Sequence, residues 1–256
     1  MGDEISFGKS CARRAAVQMI AIAAMIGMFV IGAVGSDAFA GPAGGATAAV
    51  KASNDSIRGA LKKMVAARGT PGWKAAREQA RTAVGGLLDY EALAKATLGK
   101  HWDEVKPAER TRYIDAMRSA MEASYLTKMQ GKVAVDEVQV DYLGEDAKGP
   151  NTVVHTQFHY GKDGAKLDFV MEPGKKPRAL DVITEDVSLA DTYHEQIDAL
   201  WAKKGISGIT ETFEKKAKKL EAELETTQAS ASNSSAPAAS TASATAAPAT
   251  SAGATP

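Results

Sequence analysis

Residues 152–172 read TVVHTQFHY-GKDG-AKLDFVME, and this stretch decides the fold. Val154, Thr156, Phe158 and Tyr160 alternate with Val153, His155, Gln157 and His159. In the second half Leu167, Phe169 and Met171 fall on one side. Strict alternation on both flanks of a Gly161-Lys162-Asp163-Gly164 turn predicts an antiparallel hairpin with one covered face. Two further strands are expected on its flanks, Val133 to Leu143 and Arg178 to Asp186, set off by Gly149-Pro150-Asn151 and by Pro173-Gly174-Lys175-Lys176-Pro177.

Outward from these strands the apolar period changes from two to about 3.6. Ile57, Leu61, Met64 and Val65 have helical spacing, and Gly69 ends that run. Thr70-Pro71 offers a cap and a first-turn proline to a helix bearing Trp73, Ala76, Ala80, Val84 and Leu87. A short helix is expected around Tyr90 to Thr97. A long one should run from Pro107 to Met129, with Tyr113, Met117, Met121, Ser124 or Tyr125, and Met129 on one stripe and Gly131 closing it. After the strands, Ser188 caps a helix carrying Leu189, Tyr193, Ile197 and Leu200 or Trp201. Gly205 then separates it from a last helix with Ile209, Phe213, Ala217 and Leu220. Helices segregated from a run of about four antiparallel strands make an α+β domain.

The ends of the chain have a different character. Lys9, Arg13 and Arg14 precede an apolar run from about Val17 to Val34, and Ala38-Phe39-Ala40 supplies a small-x-small site. Residues 1–40 therefore read as a signal peptide cleaved after Ala40. The competing reading is an uncleaved anchor, since the run is just long enough to span a bilayer. Residues 41–52 look like a flexible lead-in, 53–226 like the folded domain, and 227–256, almost wholly Ala, Ser, Thr, Pro and Gly, like a disordered tail. Cys11 is the only cysteine, so the exported chain would hold neither a disulfide nor a thiol nucleophile.

With 31 basic and 31 acidic residues the formal net charge is zero, which argues against a nucleic-acid partner. No phosphate loop, nucleophile elbow or His-Glu-x-x-His motif is present, and no cofactor is implied. His155 and His159 sit four apart in an extended strand, about 13 Å along the chain, too far for a shared zinc. His101 and His194 show no nucleophile or carboxylate partner in the sequence. Asp181, Glu185 and Asp186 read as a strand end and its turn rather than a paired-carboxylate site. Lys215 to Lys219 reads as a solvated helix face.

Three segments carry a resemblance. Leu98-Gly99-Lys100-His101-Trp102 ahead of a Pro-initiated helix is similar to the "LG-x-x-W" region of the MlaC family of phospholipid-transport, or toluene-tolerance, auxiliary proteins. Asp181-Val182, Val187-Ser188-Leu189, Tyr193 and Gln196 resemble its "DV…GVSL…YR-x-Q-F" stretch, and Gly205 to Ile209 its turn before the last helix. Arg178-Ala179-Leu180, His194 and Ile197 depart from the pattern. The resemblance covers about residues 53 to 222. It implies a helix-on-curved-sheet fold of NTF2/cystatin-like type, enclosing an apolar pocket for diacyl tails. It also implies a periplasmic shuttle, without catalytic activity, between an outer-membrane lipoprotein complex and an inner-membrane ABC lipid transporter, serving outer-membrane lipid asymmetry.

On that reading the candidate lipid-binding residues are, on the sheet, Val154, Phe158, Leu167, Phe169, Ile183 and Val187. From the helices come Leu98, Tyr125, Leu189, Tyr193, Ile197, Ile209 and Phe213. Two rival readings stay open at this point: an enzyme on a similar scaffold, and a membrane-anchored envelope interaction protein.

Overall fold

A computed structural model describes residues 45–130, 135–161 and 163–234. The signal-peptide segment, Gly131 and the chain beyond 234 lie outside the described residues. Within them, no helix is long and apolar enough to cross a membrane.

The first helix, α1 (Gly45–Ala66), buries Val50, Ile57, Leu61 and Met64 at helical spacing. Gly69, at φ 76°, reverses the chain after it. The next helix, α2, spans Trp73–Gly85, not from Thr70. Thr70 instead shapes the turn, its Oγ donating to the Ala67 carbonyl at 2.7 Å and accepting the Gly72 N–H at 3.3 Å. In α3 (Tyr90–Leu98) the Asp89 carboxylate caps the first turn by accepting the Ala92 N–H at 2.9 Å. A tight 3₁₀ turn, Gly99–Glu104, leads into α4 (Pro107–Met129), with proline in its first turn as expected.

The sheet is a meander in the order β1 (Val138–Lys148), β2 (Asn151–Tyr160), β3 (Asp163–Met171), β4 (Ala179–Thr184), β5 (Val187–Ser188), every pair antiparallel. It has five strands rather than four. The extra one pairs with β4 across Glu185 and Asp186, both left-handed at φ 47° and 64°, the geometry that a two-residue hairpin demands. The expected strand start at Val133 lies outside the described residues; Val135–Glu137 form a 3₁₀ turn, and β1 follows from Val138. The last helix, α5 (Leu189–Ser234), is broken at Gly205, where φ is 57°.

Register puts Val154 opposite Phe169, Thr156 opposite Leu167, and Phe169 opposite Val182. One face of the sheet is thereby the buried one, and it joins the helices in a single apolar core. The segment entering α3 is stitched to β4: Asp89 donates its N–H to the Ala179 carbonyl, and Ala179 donates to Leu87, both at 2.9 Å.

The expected lead-in is helical from Gly45. Its alanines favour helix, Val50 is fully buried, and the Thr47 N–H and hydroxyl both donate to the Glu145 carboxylate, at 3.0 and 2.7 Å. The helix at the other end also outruns the boundary drawn at 227. Leu224 is fully buried, and the Gln228 side-chain carbonyl accepts the Gly69 N–H at 3.0 Å.

Candidate functional site

Between α1, α4 and the buried sheet face lies a cavity of about 90 Å³. Its walls come from Ile57, from Leu87, Leu88 and Tyr90 at the entry to α3, from Met121 and Tyr125 of α4, and from Phe158, Phe169, Val182 and Leu189. A second chamber of about 50 Å³ shares Asn54, Ile57, Tyr125 and Phe158 with it and continues towards Leu61, Met129 and Val138. The two make one apolar crevice under α1.

The polar groups on this wall are few. Asn54 donates from Nδ2 to the Tyr142 hydroxyl at 3.1 Å, and Thr184 adds a hydroxyl. Desolvation raises the Tyr125 phenol to about 12 and pushes Tyr90 up as well. Neither ring is available as an acid or base near neutral pH. Among the described residues the wall carries no carboxylate, imidazole or thiol, so its chemistry is that of an apolar receptacle.

α1 is held over the crevice by polar tethers. Besides Thr47–Glu145 and Asn54–Tyr142, Arg58 donates to the Val138 carbonyl at 3.0 Å and Lys62 pairs with Asp136. Behind it, α2 is fixed to the far part of α5 by ion pairs of Arg77 and Arg81 with Glu221 and Glu225.

Four of the sequence candidates line the cavity: Tyr125, Phe158, Phe169 and Leu189. Val154 and Leu167 share their sheet face but are wholly buried, away from the wall. Leu98, Tyr193, Ile197, Ile209 and Phe213 are buried in the common core instead. There Phe213 meets Tyr113 and Tyr193 with ring centroids 5.9 Å apart in each case. The α5 stripe that supplies these candidates packs mainly on α3 and α4. Ile183 and Val187 are half-buried and off the wall. Ile183 alternates with Val182 and Thr184, which do face the cavity, so it takes the other side of the strand. Sequence reasoning missed Ile57, Leu87, Leu88, Tyr90, Met121 and Val182 as wall residues. Of these, Ile57, Leu87 and Met121 lie on apolar stripes already visible in the sequence.

The titratable candidates have structural employment. His101 stacks on Trp201 with centroids 4.0 Å apart, its nitrogens 3.3 Å from Glu104 and 3.1 Å from Asp198. His194 Nδ1 donates to the Thr97 carbonyl at 3.1 Å. It lies so close to Gly99, at φ 53°, that a Cβ there would come within 2.5 Å of the ring. His155 contacts Asp146 and Asp168, and His159 contacts Asp141. No group of three metal-ligating side chains occurs among the described residues. The Asp181 carboxylate accepts the Val182 and Ala190 N–H groups and the Ser188 hydroxyl, clamping β4 to the start of α5. Burial pushes its pKa up.

A fold of this kind has a counterpart among solved structures. A solved structure of a phospholipid-binding protein from Ralstonia solanacearum, in complex with a phospholipid, aligns with a TM-score of 0.56 at 16% identity. The alignment covers 68% of this chain and 97% of that one, and it shows a shared fold. No curated protein sequence gives a significant match. The model of the family described as MlaC protein matches residues 55–215. The chain belongs to the MlaC family.

Proposed function

We propose that this MlaC-family chain is a phospholipid carrier of the periplasm, exported by a cleaved N-terminal signal, with acyl tails held in the crevice between α1, α4 and the sheet. The observation that carries the reading is the crevice itself, an apolar wall without an acid, base or nucleophile. The phospholipid bound by the Ralstonia protein of similar fold supports it. On this reading the carrier exchanges lipid with an inner-membrane ABC transporter complex and an outer-membrane lipoprotein complex, and so serves outer-membrane lipid asymmetry.

The energetics suit carriage rather than catalysis. Removing about thirty acyl carbons from water is worth on the order of 20 kcal/mol at ~0.8 kcal/mol per methylene. The bilayer offers the tails nearly the same gain, so exchange between membrane and carrier sits near balance, and its direction follows from the docking partners. A cavity of about 90 Å³ is smaller than the ~150 Å³ that admits one benzene ring. Loading therefore parts the walls, and the polar tethers along α1 are the contacts that exchange most readily with water.

The test is native mass spectrometry of the exported protein. A diacyl phospholipid should co-purify, and stripping it should lower the melting temperature, because a ligand that binds only the folded state stabilises it. Protein that neither carries nor takes up lipid, and melts the same before and after extraction, would sink the proposal.

A further inference from the structure

At the start of α3, consecutive residues line the apolar cavity and a charged cleft. Leu88 and Tyr90 line the cavity, while their neighbours Asp89 and Glu91 line a second cleft of about 450 Å³. Arg110, Arg118, Arg178 and Asp115 also line it, together with Trp102. The Arg118 guanidinium lies 5.0 Å from the Tyr90 ring centroid. The buried Tyr90 ring thus lines the apolar cavity and lies against a guanidinium that lines the cleft.

The three guanidiniums are not equally committed. Arg178 pairs with Asp89 and reaches Glu172 at 3.6 Å. Arg110 lies over Trp102, 4.7 Å from its centroid, and approaches Asp103 at 3.6 Å, while its buried Nε has no hydrogen-bond partner. Arg118 is exposed; it lies against the Tyr90 face and within electrostatic reach of Glu122 one turn on, and among the described residues no carboxylate comes within 4 Å of it. A planar guanidinium presents parallel N–H donors matched to two oxygens of a phosphate. Asp89, Glu91 and Asp115 balance the three arginines, so the cleft has no excess charge with which to gather free anions. An anion gains from it only when delivered at high effective concentration, as a group tethered to a tail already in the neighbouring cavity would be.

We infer that this cleft seats the phosphodiester of the lipid headgroup, with Arg118 as its first contact and Arg110 as its second. The inference rests on the assignment of the crevice to acyl tails. Delipidated wild type, Arg118→Gln and Arg118→Lys are loaded with dioleoyl phosphatidylethanolamine and, separately, with dioleoylglycerol, which has the same tails and no phosphate. Arg118→Gln should weaken phospholipid loading about tenfold and leave diacylglycerol within about twofold, the loss expected of a charge-assisted pair. Arg118→Lys, a point charge without the fork, should fall between. Millimolar inorganic phosphate should leave phospholipid loading unchanged. Equal weakening of both lipids, no weakening of either, or displacement by inorganic phosphate each overturns the headgroup assignment. Failure of wild type to load either lipid overturns the carrier reading itself and this inference with it.

Discussion

Met117 and Met121 sit one turn apart on α4, one in the closed part of the core and the other on the cavity wall. Met117 is fully buried in the closed core that also holds Tyr113, Tyr193 and Phe213. Met121 is half-buried and lines the cavity with Tyr125 and Phe158. Residues four apart share a helix face, and only about 6 Å of rise separates them. One apolar stripe therefore serves as core at one level and as cavity wall at the next. Which level is which depends on what the other elements bring opposite, and the two regions should answer mutation differently.

The largest effect belongs to the closed core. Ile209→Asp buries a carboxylate in a region with no cation within the aromatic cluster, where Ile209 is 1% exposed. Burial of an unpaired charge of this kind costs more than about 4 kcal/mol, a large part of a domain's stability. Urea titration by circular dichroism should show an unfolded or nearly unfolded domain. A variant that stays folded and loses only lipid would move Ile209 to the cavity and break the division.

Gly99→Ala probes the seam where α3 ends against α5. The left-handed backbone and the 2.5 Å approach to His194 both disfavour a side chain. The loss should be about 1–3 kcal/mol. Adding His194→Ala should return the part due to the ring and leave the part due to φ. Equal midpoints for Gly99→Ala and wild type would mean that the seam yields freely.

The alternation in residues 152–172 carried the sheet, and the helical periods carried every long helix, because burial on one face writes itself directly into those patterns. The β5 strand left no pattern, being two residues long. The helical continuation at both termini was hidden by composition, since alanine, serine and threonine serve a loop or a helix and only Glu145 and Gly69, remote in sequence, fix the choice. Of the site, Phe158 and Phe169 were legible from alternation. Tyr193, Ile197 and Phe213 fall in the core rather than on the cavity wall, because an apolar stripe names a covered face without naming its cover.

A smaller, pH-dependent effect belongs to the border between the regions. Glu122 follows Met121 and is raised to about 7 by desolvation, which outweighs Arg81 and Arg118, with Glu78 and Glu221 adding repulsion. Its folded pKa lies above the ordinary value of 4.5, so the folded state binds more protons between the two. Stability from this group is full below about 4.5 and is lost as pH rises towards 7. With solvent screening allowed for, the loss is about 1 kcal/mol. Chemical denaturation at pH 5, 6 and 7.5 should show wild type falling relative to Glu122→Gln. A constant difference across that range would mean that the carboxyl is ionised throughout.

The smallest stability effect should accompany a large functional one, and it bears directly on the two methionines. Tryptophan at 117 has no space to enter, and overpacking a closed core costs about 1–3 kcal/mol. At 121 the extra ring can occupy the cavity of about 90 Å³ beside Tyr125 and Phe158. Filling a cavity changes stability by less than about 1 kcal/mol and often raises it. Lipid-free Met121→Trp should therefore melt close to wild type, while its bound phospholipid per chain falls steeply because the indole takes the place of acyl carbons. Met117→Trp should show the reverse, a lowered melting temperature with lipid content per folded molecule near that of wild type. Bound phosphorus and melting temperature, measured on the same preparations, separate the two regions. Were Met121→Trp to lose as much stability as Met117→Trp and keep its lipid, the crevice would be ordinary core and the tails would have to lie elsewhere.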